Sequence, residues 1–162
     1  MTRQPKRHKK KRRFTPSLSD HFSKRDFVCR CGHCKQLVKV SLGLVGALEW
    51  LREMVGQRIT ITKGYMCHDA VDKQQSLRRN FYHMGIAAQI TAEHTDLLSL
   101  AKHALTIPEF RGIGLCQDTG VLHVDTRKAN ERTIWIESNG QSQPVLEDDI
   151  DRYFPPVIDH LS

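Results

Sequence analysis

The sequence predicts an α+β fold, a small antiparallel sheet flanked by helices. Three observations carry this. Residues 41–56 hold apolar side chains at helical spacing, several later segments alternate apolar and polar residues as strands do, and short polar turns join the last of them. With 162 residues, 39% of them hydrophobic, the chain suits one domain with a modest core.

The first helix is the clearest element. Leu44, Leu48, Leu51 and Val55 share one face, Ser41 stands where an N-cap belongs, and Gly56 where a helix stops. Residues 58–62 (RITIT) alternate with β-branched side chains and predict a strand, which Gly64 and Tyr65 turn out of. Residues 66–82 are polar and poorly periodic, which predicts a loop with at most one helical turn. A short strand follows over 86–91, then a second helix over 94–105. Its inward face is Leu97, Ala101, Ala104 and Leu105, and Pro108 lies just past its end. Residues 111–116, 121–126 and 133–137 complete the sheet.

Composition divides the chain into a basic arm (1–20), a domain (21–137) and an acidic, Pro-containing extension (138–162) expected to pack loosely. Eight of the 25 Lys and Arg lie in residues 1–13; the remaining 17 face 18 acidic residues. The net charge of +7 therefore belongs to the arm, which is a solvated tail or a tether for a polyanion such as nucleic acid or an anionic glycan. No apolar run has membrane-spanning length, and no apolar stretch follows the basic residues as in a secretory signal. The expectation is a cytoplasmic protein, with export or release by lysis left open.

Two kinds of residue invite chemistry. In residues 121–126 (VLHVDT), His123 and Asp125 are two apart on a strand, so they share a face while Leu122 and Val124 take the other. Such a pair binds a metal, orients a ligand or is merely structural. His83 precedes a small-residue strand, as a ligand or as a hydrogen-bonded turn residue. Separately, Cys29, Cys31 and Cys34 pack three thiols into six residues, and with Cys67 they form a donor set suited to a structural zinc. Buried thiols or a disulfide are the other readings, and Cys116 is read as a packed residue near a strand end.

Taken in order, these pieces resemble the zinc D-alanyl-D-alanine carboxypeptidases and endopeptidases of peptidoglycan, whose superfamily includes the hedgehog domain. Residues 64–67 (GYMC) are similar to that family's S-G-Y-R-C. Residues 85–90 (GIAAQI) are similar to G-x-A-x-D-[IV], and residues 112–114 with 121–126 to G-[IV]-G and F-[VI]-H-[VIL]-D. The front end, Phe27-x-Cys29-x-Cys31-Gly32, and Trp135 also fit. The likeness spans roughly residues 21–136. It implies a D,D-peptidase/hedgehog-like fold and one zinc held by His, Asp and His, whose bound water attacks a peptide bond beside a D-amino acid.

On that resemblance His83 and His123 are metal ligands, with Gln89 in the column of the middle Asp, and Tyr65 and Asn80 line the substrate. Gln89, however, lies six residues after His83 where the family has seven. Either one residue is lost between His83 and Gly85, or Tyr82 occupies the ligand column. The family's Arg is replaced by Met66, and the position three before the last His is Gly120, which leaves Asp118 and Asp125 as the acid/base candidates. Three expectations follow: a zinc-dependent peptidase acting on peptidoglycan-type peptides containing D-amino acids through an altered metal site; an inactive relative serving as a peptide-binding or structural module; or a domain tethered to a polyanion by its arm.

Overall fold

A computed structural model describes residues 17–72 and 79–154. The basic run 1–13, on which the polyanion reading rests, lies outside the described residues. A single 3₁₀ turn (Lys24–Phe27) precedes helix α1 (Leu42–Val55) and strand β1 (Ile59–Lys63). Two short helices follow, α2 (His68–Asp72) and α3 (Arg79–His83), then β2 (Ala87–Ala92) and helix α4 (Leu97–Leu105). Strands β3 (Gly112–Cys116), β4 (Val121–Asp125), β5 (Thr133–Ser138) and β6 (Gln141–Pro144) complete one six-stranded sheet, before a second 3₁₀ segment (Glu147–Tyr153). Among the described residues no helix is long and apolar enough to cross a membrane.

Local chemistry sets the helix ends. The Ser41 hydroxyl accepts the Gly43 N–H, and Gly56 closes α1 in the left-handed conformation at φ 67°. Asp96 caps α4 by accepting the Ser99 N–H, so that helix starts three residues later than its periodicity suggests.

The sheet order is β1-β2-β4-β3-β5-β6, and it is mixed rather than wholly antiparallel. Strands β3 and β5 run parallel while the other pairs are antiparallel. The reason lies in the link after β4. It passes the start of β3, where the Arg111 N–H donates to Asp125 O and the Thr133 N–H to Arg111 O, and it re-enters on β3's far side. Arg132 pins that link by donating to the carbonyls of Leu105, Ile107 and Phe110 at 2.6, 2.9 and 2.9 Å. The described part of the extension joins the body. Strand β6 pairs with β5, and Ile150 is buried in the core.

Register divides the sheet into two faces. On one, Ala88, Ile90, Ile113, Leu115, Leu122, Val124, Ile134 and Ile136 join Leu44, Leu48 and Leu51 of α1 and Leu100, Ala101 and Ala104 of α4 in a single apolar core. On the other, Gln89, His123, Gly114 and Trp135 lie side by side across β2, β4, β3 and β5, with Asp125 one step along from His123. Helix α3 packs over this polar row.

Candidate functional site: a sealed polar row and a cysteine quartet

His123 and Asp125 are 3% and 0% exposed, and they are the buried polar residues of the sheet. Alternation along β4 aims both at α3, where Tyr82 meets them. The Tyr82 hydroxyl lies 2.5 Å from His123 Nδ1, and His123 Nε2 lies 2.8 Å from Asp125 Oδ2. Arg127 closes the far end with two bonds to the same carboxylate, Nε to Oδ1 at 2.7 Å and Nη2 to Oδ2 at 2.5 Å. Its guanidinium also lies over the Phe81 ring, 4.3 Å from the centroid.

The charges give this chain one direction. Burial pushes the Tyr82 hydroxyl far above its ordinary value, and nearby Cys116, Asp125 and Glu137 add to that, so it remains a neutral donor. Burial pushes the Asp125 carboxyl up, but the hydrogen bonds from Arg127 and His123 outweigh it and hold the group at about 2. An ionised Asp125 accepts only. His123 therefore donates from Nε2 and accepts the Tyr82 proton at Nδ1. The Gln89 side chain bonds the same Tyr82 hydroxyl. The Gly-x-Gly of β3 makes room for the row: a Cβ at Gly112 would overlap Asp125 and Arg127, and one at Gly114 would overlap the Trp135 indole.

Of the two residues open for the ligand column, Tyr82 sits over His123. His83, the next residue on α3, faces elsewhere, since neighbours on a helix diverge by about 100°. Its Nδ1 is 3.0 Å from Met66 O, and its ring stacks on Tyr65 at 5.7 Å and meets His68 edge-on at 6.0 Å. Asn80 is exposed on α3. Asp118 is exposed in the β3–β4 turn, at the end of β4 remote from Asp125.

The second centre is the cysteine quartet. The Sγ atoms of Cys29, Cys31, Cys34 and Cys67 all lie within 4.8 Å of one another, close enough to bind a metal ion. Among the described residues this is the group of three or more His, Cys, Asp or Glu placed to do so; His83, His123, Asp118 and Asp125 do not form one. Backbone bonds hold it together. The Cys29 N–H donates to Leu37 O at 2.8 Å and closes the loop, and the Tyr65 N–H donates to Phe27 O at 2.8 Å, tying the loop to the end of β1. Gly64 lies so close to the Phe27 backbone that a Cβ there would overlap it. Two of the sulfurs are held in turn by N–H donors: those of His33 and Cys34 reach Cys31 Sγ, and that of Cys67 reaches Cys29 Sγ, each at 3.3 Å.

No protein family, curated protein or solved structure matches this chain.

The donor set fits a soft divalent ion. A tetrahedral S₄ site with bonds of about 2.3 Å has sulfurs roughly 3.8 Å apart, and Cys31 and Cys67 stand at 3.6 Å. Without a cation the four thiols are unequal. The N–H donors of Cys34 and His33 draw Cys31 down to about 6, whereas burial pushes Cys34 up to about 12. A dication favours the thiolate at all four. Cys116 is buried apart from the quartet, its Sγ 3.9 Å from Glu137 Oε2.

Proposed function

We propose that this chain is a non-hydrolytic relative of the zinc D,D-peptidases, a binding or structural module whose metal is a structural zinc at Cys29, Cys31, Cys34 and Cys67. One observation carries the reading: the Tyr82 hydroxyl stands 2.5 Å from His123 Nδ1, where a ligand to a catalytic metal would need that nitrogen's lone pair. The other nitrogen of His123 is committed to Asp125, and Asp125 to Arg127. A hydrolytic zinc needs three protein ligands and an open position for water. Tyr82 instead bonds His123 and Gln89, and both Tyr82 and His123 are buried, at 4% and 3% exposure. Met66 supplies no donor for an oxyanion in place of the family's Arg.

The cysteines suit the opposite role. Four thiolates close a tetrahedral site completely, which makes a structural zinc and not a catalytic one. The zinc supplies a cross-link between the 29–34 loop and Cys67 beyond β1.

The test is hydrolysis. Full-length protein supplied with zinc is expected to leave acylated D-Ala-D-Ala peptides intact over many hours, as judged by release of free D-alanine. Release that disappears on His123→Ala would overturn the reading.

A further inference from the structure

We propose that Cys31 and Cys67 are an oxidant-reactive pair, which peroxide converts to a disulfide with expulsion of the metal. The proposal rests on the zinc reading for the expulsion but not for the pairing.

Geometry separates the roles of the two sulfurs. Cys31 is half-buried and, with Cys29, lines an open cavity of about 300 Å³ walled by Val28, Tyr65 and Met66. A molecule the size of peroxide reaches its sulfur there. Cys67 is buried at 4% exposure, and its Sγ stands 3.6 Å from that of Cys31. The first sulfur is thus open to reagent and the second is positioned behind it. Two backbone N–H groups fix Cys31 Sγ in place, and the backbone O of Cys67 accepts the N–H groups of Ala70 and Val71, which fixes the second. Closing from 3.6 Å to bonding distance requires a side-chain adjustment and no rearrangement of the sheet.

The chemistry balances with hydrogen peroxide as the oxidant. The Cys31 sulfur attacks one peroxide oxygen, an S–O bond forms, the O–O bond breaks and hydroxide leaves. The Cys67 sulfur then attacks the Cys31 sulfur, the S–S bond forms and the S–O bond breaks, releasing a second hydroxide. The two sulfurs lose two electrons and peroxide gains them. Only Cys29 and Cys34 then remain as thiolate donors, too few to retain zinc.

The experiment uses reduced full-length protein of measured zinc content, treated with hydrogen peroxide, with released zinc followed by a colorimetric chelator and disulfides mapped by peptide mass spectrometry. Zinc is expected to leave in step with a Cys31–Cys67 link, with Cys31 oxidised roughly tenfold faster than Cys116. Thiol reductant plus zinc is expected to restore the starting state. Zinc retained after Cys116 has oxidised overturns the proposal, as does zinc released with a Cys31–Cys34 link. Reduced protein that carries no zinc overturns the metal reading instead, and the disulfide map then still decides the pair.

Discussion

Stripping the metal with a strong chelator, or replacing Cys67 by Ser, is expected to lower the melting temperature by roughly 10–15 °C. A ligand held about 1,000-fold above its Kd stabilises by about 4 kcal/mol, and each kcal/mol shifts the midpoint of a domain this size by a few degrees. The loss falls unevenly. The apolar core of α1, α4 and the sheet needs no metal, because its contacts are made by Leu48, Leu100, Ile113 and their neighbours. The loop from Val28 to Lys39 has little core of its own: Cys29 is buried, while Arg30, His33, Lys35, Gln36 and Leu37 are exposed. Amide exchange is therefore expected to accelerate first in that loop and in residues 64–70, with β4 still protected. A chelator-treated protein that melts at the untreated temperature would show the quartet to be free thiols.

Asp125→Ala is expected to destabilise by about 3–5 kcal/mol, because it leaves the Arg127 guanidinium and His123 Nε2–H facing an empty, desolvated site. Tyr82→Phe removes only one neutral donor from the same chain and belongs near the lower end of what a lost buried hydrogen bond costs, about 1 kcal/mol. The acid limb of the stability curve offers a second readout. Asp125 is held at about 2 against an ordinary 3.8, so its folded value is depressed. Its contribution is complete above about pH 4 and falls away as pH drops from there through about 2, by an amount on the order of 2 kcal/mol. Urea denaturation of wild type and Asp125→Asn at pH 6, 4 and 2.5 checks this. The stability difference between the two is expected to shrink as pH falls, and an unchanged difference would mean the carboxylate is not held by Arg127.

Helices α1 and α4 and strands β1, β2, β4 and β5 were legible because core-facing apolar residues recur at a fixed period, whereas β3, buried at every residue, was legible from its glycines and the turn that follows it. Strand β6 left none: Gln141, Ser142, Gln143 and Pro144 are all exposed, and they pair with β5 through backbone groups that any sequence supplies. The parallel β3–β5 pairing was equally invisible. Periodicity says which face a residue takes and nothing about the side of β3 on which the link after β4 returns. Two helical turns, in α2 and α3, formed where a loop was expected, both too short for a recognisable stripe.

The candidate site divides in the same way. That His123 and Asp125 share a face followed from alternation, and continuing it one step further would have placed Arg127 beside them. The choice between His83 and Tyr82 did not follow, because it depends on how α3 is rotated over the sheet, and three-dimensional packing sets that. Cys67 is separated from Cys34 by 33 residues, so only its chemistry, not its spacing, linked it to the other three.

Placement of the zinc on the cysteine quartet is tested most directly by X-ray absorption at the zinc edge of purified, reduced protein. It predicts a first shell of four sulfurs at about 2.3 Å and no histidine nitrogen. A shell of nitrogen and oxygen near 2.0–2.1 Å, lost on His123→Ala, would place the zinc on the polar row and contradict it.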